Sequence, residues 1–164
     1  MNSLRPRRDM TTNLLRMLFT PTFGVLCLAG LAAFGQSGKP NLSGRWELDK
    51  TKSDFGSGPA PKDIIEQITQ EGTNVVVSTT FATPNGDIKK LVKLRTDGVP
   101  TVNTMRGREL TSISQWQGDS LVTVTRDGQR TVLSETRTLA KDGKTLTVIV
   151  DMGASKQKVV MLKK

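Results

Sequence analysis

The chain has 164 residues, a net charge of +9, a single cysteine, and neither histidine nor tyrosine. That length suggests one domain. The missing histidine excludes Ser-His-Asp triads and ordinary zinc sites, and the chain carries no phosphate-cradling glycine motif and no Asp-x-Asp-x-Asp-Gly calcium loop.

The first element is not part of a fold. Arg5, Arg7, Arg8 and Arg16 precede an uncharged stretch from Met17 to Gly38, whose apolar heart is Phe23 to Phe34. A basic start followed by a short apolar run is the build of a secretory signal, and Ala33-Phe34-Gly35 offers small residues for a cut after Gly35. Thr20, Pro21 and Thr22 keep the run short of the roughly 20 apolar residues of a spanning helix. Arg7-Arg8 is followed by Asp9-Met10-Thr11, a poor twin-arginine context, and Leu26 stands before Cys27 where a lipidation signal carries a small residue. Residues 1–35 are therefore expected to be a signal peptide, with an uncleaved anchor as the competing outcome. Residues 36–41 are a linker, and the protein is secreted or periplasmic. Cleavage would remove four of 24 basic and one of 15 acidic residues, leaving 20 and 14 and a net charge of +6. It would also remove Cys27, so no disulfide can staple residues 42–164.

The rest of the chain reads as strands. Alternation over Gly44 to Asp49 sends Trp46 and Leu48 to one face and Glu47 and Asp49 to the other. One long connection, Lys50 to Lys62, follows. From there, turn signals recur at short intervals: Glu71-Gly72-Thr73-Asn74, Pro84-Asn85-Gly86-Asp87, Asp97-Gly98, Gln117-Gly118-Asp119, Asp127-Gly128, Asp142-Gly143 and Met152-Gly153. Asn-Gly and Asp-Gly tolerate the positive φ of tight hairpins. Between them lie runs rich in Val, Ile, Thr and Leu with period 2, such as Leu121 to Thr125 and Leu146 to Val150. The pattern predicts about nine or ten strands, starting near residues 43, 63, 74, 87, 100, 109, 120, 130, 144 and 155. Strands joined by tight turns form a meander, and closing it into a barrel removes its exposed edges. The fold class is thus all-β, an antiparallel up-and-down barrel of about 8–10 strands over residues 42–164. An outer-membrane barrel would need aromatic girdles, whereas only Trp46, Trp116, Phe55 and Phe81 follow residue 35.

The segment Asn41-Leu42-Ser43-Gly44-Arg45-Trp46-Glu47-Leu48-Asp49-Lys50, with Lys52-Ser53-Asp54-Phe55-Gly56 and Pro59-Ala60-Pro61 after it, resembles secreted lipocalin-like proteins of soil bacteria. In these a Gly-x-Trp strand opens an up-and-down barrel and a Lys-Ser-x-Phe-Gly loop follows. Gly44-Arg45-Trp46 also resembles the first-strand motif of lipocalins generally. The resemblance implies a calycin-type barrel and an arginine packed over the tryptophan, for which Arg137 is the nearest candidate. The tyrosine of the second lipocalin motif has no counterpart here.

A cavity, if the barrel holds one, is lined by alternate positions. The inward sets are Val75, Val77, Thr79 and Phe81; Ile88, Val92 and Leu94; Leu110, Ser112, Ser114 and Trp116; and Leu146, Val148 and Val150. Leu91, Ile113, Val122, Val124, Leu133 and Ile149 sit on the opposite parity, which calls for bulges or for cover outside the barrel. The candidate ligand-binding residues are Trp46, Leu48, Val77, Phe81, Val92, Trp116 and Val148, and the implied partner is a small amphipathic molecule. The alternative is a barrel filled by its own side chains, an envelope structural or interaction protein that uses its basic outer surface. Lys89, Lys93 and Arg95 on one strand face, the Arg106-Gly107-Arg108 turn, and Lys156, Lys158, Lys163 and Lys164 would then meet an anionic envelope component. Nucleic acid is not expected, since there are few aromatics for stacking. A membrane is expected only through an uncleaved N-terminal segment. Most aspartates sit beside turn glycines, and Glu47 with Asp49, or Glu135 with a neighbour, are the only paired carboxylates in view. No enzyme, cofactor or metal is expected.

Overall fold

A computed structural model describes residues 38–164. The expected signal peptide and the first residues of the linker lie outside the described residues. Ten strands run in chain order: β1 (Gly44–Leu48), β2 (Asp63–Glu71), β3 (Asn74–Thr83), β4 (Gly86–Arg95), β5 (Thr101–Met105), β6 (Arg108–Gln117), β7 (Ser120–Asp127), β8 (Arg130–Leu139), β9 (Thr145–Asp151) and β10 (Lys156–Lys163). Each starts within one residue of the position its turn signal predicts. No helix occurs among the described residues.

All ten strands form one antiparallel sheet in the order β4-β3-β2-β1-β10-β9-β8-β7-β6-β5. Every sequential pair but one is a meander neighbour, and β1 also pairs with β10 through Trp46 opposite Lys163. The sheet curls until β4 and β5 approach each other, but no backbone ladder joins them. The expectation that closure abolishes both edges is corrected here. Asp97-Gly98 does not make a tight hairpin. Instead the connector swings to β6, where the Gly98 amide donates to the Ser114 carbonyl at 3.0 Å and Asp97 bridges Gln115. Pro100 follows, with no amide to pair. The gap is spliced by a side chain. The Asn103 amide accepts from Lys93 N at 2.7 Å and donates to Lys93 O at 2.9 Å, as a backbone partner would. Thr101 Oγ1 adds a second donor to the same carbonyl.

Alternation sends Ile64, Glu66 and Ile68 of β2 and Val75, Val77 and Thr79 of β3 inward. Val92, Leu94, Ser112, Ser114, Leu121, Leu146 and Val148 are likewise buried, while Ile113, Val122, Val124 and Ile149 lie half-buried on the outer face. Leu91 is exposed. Leu133 does not follow that outer set: it shares the parity of the buried Glu135 and Arg137 and pairs with the buried Thr125, and the β7–β8 register shifts only beyond it, at Thr125/Arg126.

One end of the barrel is solid. Trp46, Leu42, Ile68, Val75, Leu94, Leu121 and Leu146 pack there without appreciable exposure. Trp46 Nε1 donates to the Leu42 carbonyl at 2.9 Å, so the indole gains its hydrogen bond from the segment that crosses the end. Gln70 ties that segment down: it accepts from Leu42 N, donates to Pro40 O, and takes the Ser43 hydroxyl as acceptor for its own backbone amide. The cation over the Trp46 ring is Lys163, whose Nζ is 5.3 Å from the ring centroid. The Lys163 stem crosses Gly44, where a Cβ would come within 2.6 Å of Lys163 Cε and where φ is +141°. The glycine of Gly44-Arg45-Trp46 is thereby explained by close approach and backbone conformation together.

Candidate functional site

The opposite end is hollow. A cavity of about 930 Å³ opens there, within the usual size range of small-molecule pockets. Its walls are Ile64, Phe81, Ile88, Leu110, Leu133, Val148, Val150, Val159 and Met161, contributed by strands from both halves of the sheet. The rim is formed by the turns at this end and by the loop between β1 and β2. That loop is anchored as a partial extra strand along β10. Asp54 and Lys158 exchange both backbone hydrogen bonds at 2.7 Å, and the Ser53 hydroxyl accepts from Val160 N at 2.9 Å. The anchoring brings Phe55, Pro59, Ala60 and Pro61 to the cavity wall. Lys52-Ser53-Asp54-Phe55-Gly56 thus acts as a stitch: Ser53 and Asp54 fasten the loop, Phe55 faces the cavity, and Gly56 turns the chain at φ +60°.

At depth the walls become ionic. Arg137 of β8 is almost wholly buried, and its guanidinium lies between two glutamates: Nη1 is 3.3 Å from Glu135 Oε2 and Nη2 is 3.5 Å from Glu66 Oε1. Lys90 Nζ stands 3.6 Å from Glu135 Oε1, and Thr79 Oγ1 donates to Glu66 Oε1 at 3.1 Å. Burial by itself would raise the Glu135 pKa, but Arg137 and then Lys90 outweigh it and hold the carboxyl at about 2. The same glutamates raise the Arg137 pKa against its own burial, so it stays charged. Two positive and two negative groups make the cluster neutral. Glu66 Oε2 and both Arg137 Nε and Nη1 have no hydrogen-bond partner within the protein. Glu66, Glu135 and Lys90 line the cavity, with Arg137 behind them. Thr125 adds a hydroxyl to the wall and pairs with Ser112 at 3.0 Å, while Ser114 and Thr123 pair at 2.9 Å in the buried interior.

The seven residues expected from the sequence fall into two groups. Phe81 and Val148 line the cavity. Trp46, Val77 and Val92 are buried in the packed core, and Leu48 and Trp116 lie half-buried against it. The ionic cluster was absent from that set. Its signal is visible in retrospect as a charged residue flanked by apolar residues of the same parity: Ile64-x-Glu66-x-Ile68, Ile88-x-Lys90-x-Val92 and Leu133-x-Glu135-x-Arg137-x-Leu139.

No protein-family model matches the chain, and no curated protein matches it. Solved structures do. The fluorescent protein UnaG superposes with a TM-score of 0.60 at 18% identity, covering 75% of this chain and 97% of its own. Human cRBP IV gives 0.59 at 18% identity, covering 76% and 98%. A secretary abundant heat soluble protein from Ramazzottius varieornatus gives 0.58 at 14%, covering 78% and 98%. Identities this low speak for the fold alone, and that fold is a ten-stranded antiparallel meander barrel of the lipocalin (calycin) type.

Proposed function

We propose that this domain is an exported binding protein that holds a small amphipathic or hydrophobic molecule in the open half of its barrel. The carrying observation is the cavity of about 930 Å³, apolar along its walls and polar at its depth. A combination of apolar area with a few fixed polar groups is what orients a bound small molecule. Export to a secreted or periplasmic compartment is supported by the basic and apolar N-terminal sequence. Binding is favoured over catalysis because both interior carboxylates are engaged by cations, Glu135 by Arg137 and Lys90 and Glu66 by Arg137.

The test is a titration of the protein with Nile red, a neutral dye that brightens in apolar surroundings. Saturable uptake at one site per chain is expected, and Val148→Phe, which adds bulk to the cavity wall, should weaken it about tenfold. An absence of saturable uptake, or uptake indifferent to Val148→Phe in a folded variant, would overturn the proposal.

A further inference from the structure

The polar end of the cavity has a property that its arginine alone would not suggest. Arg137 is engaged by two glutamates and is not part of the cavity wall; the groups that reach the wall are Glu66, Glu135 and Lys90. With Arg137 the four charges cancel, so the pocket offers no surplus positive charge to an entering anion. A carboxylate carried to this depth would lose its hydration and come to rest beside two carboxylates. A hydrogen-bond donor meets the opposite situation. Glu66 is a cavity-lining residue, 6% exposed, and one of its carboxylate oxygens has no partner within the protein. Thr125 adds a hydroxyl on the facing wall. The rim is different in sign: Lys89, Arg106 and Arg108 outnumber Asp127, which pairs with Arg108.

We infer that the ligand is a neutral amphiphile with a hydroxyl head, its apolar tail along Phe81, Ile88 and Val148 and its O–H donated to the carboxylate of Glu66. The inference rests on the binding function proposed above and names the chemical class of the molecule bound. Charge cancellation in the interior is its basis. Glu66 acts as the acceptor, and the cationic rim is where an anionic amphiphile would be held instead.

Three probes that differ only in their heads decide the matter: dodecanol, dodecanoate and dodecylammonium, each displacing Nile red from the full chain at neutral pH. Dodecanol should bind at least about tenfold more tightly than dodecanoate, the discrimination expected when a desolvated head lacks its hydrogen-bonding complement. Glu66→Gln leaves the cluster with one surplus positive charge, and in that variant dodecanoate should gain about tenfold while dodecanol does not. Dodecanoate binding as tightly as dodecanol to the native chain would overturn the inference and leave the binding function standing. Tightest binding of dodecylammonium would overturn it in favour of a cationic head. Failure of all three, and of the dye, would remove both. The native-chain comparison is decisive by itself if Glu66→Gln does not fold.

Discussion

Arg137 sits where water cannot replace a lost partner. Substituting it with Met keeps the length of the side chain but strands Glu66 and Glu135 inside the barrel, and removing one member of a buried ionic group costs about 3–5 kcal/mol. Urea unfolding of Arg137→Met should show a loss of that order, and a loss under about 1 kcal/mol would mean that the carboxylates find other partners. The pH dependence follows from the same contacts. Glu135 has its pKa lowered from 4.5 to about 2 in the folded chain, so its contribution is complete above the unfolded value and is lost as pH falls from about 4.5 towards 2. The contribution is on the order of 3 kcal/mol. Native protein should therefore lose urea resistance across that window, and Glu135→Gln should show a shallower decline there. Parallel pH profiles for the two would contradict the role assigned to Arg137 and Lys90.

Between elements, the weakest seam is that of β4 and β5, which depends on the Asn103 amide in place of a ladder. Asn103→Ala leaves the Lys93 amide and carbonyl without that partner and should cost about 1–3 kcal/mol. Hydrogen exchange at the Lys93 amide should accelerate far more than exchange in the β2–β3 ladder; unchanged exchange would show that the seam is held otherwise. At the other end of the barrel, Gly44→Ala must accept a φ of +141° and a Cβ close to Lys163 Cε, and it should destabilise by about 1–3 kcal/mol. Strand starts were legible in the sequence because Asn-Gly and Asp-Gly turns announce themselves, and Trp46 with Leu48 could be assigned a face by alternation. The seam was not legible: Asp97-Gly98 carries the same dipeptide signature as the true hairpins, and the long-range contact with β6 and the nearby Pro100 distinguish it. The ionic cluster escaped for a related reason. Glu66, Lys90 and the Glu135/Arg137 pair lie on three separate stretches of chain, and their mutual neutralisation exists only once the barrel brings β2, β4 and β8 around one space. Of the expected cavity residues, Trp46, Val77 and Val92 followed the correct face but sit in the packed half. Periodicity tells inside from outside; it does not tell which end is hollow.

At the scale of the molecule, the barrel divides its work lengthwise. The closed half contains the tryptophan, its lysine and most of the fully buried aliphatic side chains, whereas the open half combines a cavity with rim residues such as Ile88 and Met152 that remain exposed. Stability rests chiefly on the closed half and binding on the open one, with Ile64, Val148 and Val159 shared between the core and the cavity wall. The two halves share the strands themselves, and those strands are joined in a distinctive way. β1 lies between β2 and β10, so Trp46 faces Lys163 across more than a hundred residues of chain. Until residue 163 arrives, β1 and β9 are bare edges and the indole has neither its opposite strand nor its covering lysine. A chain emerging from a ribosome therefore cannot complete this sheet until β10 follows, a delay that would suit the export proposed above.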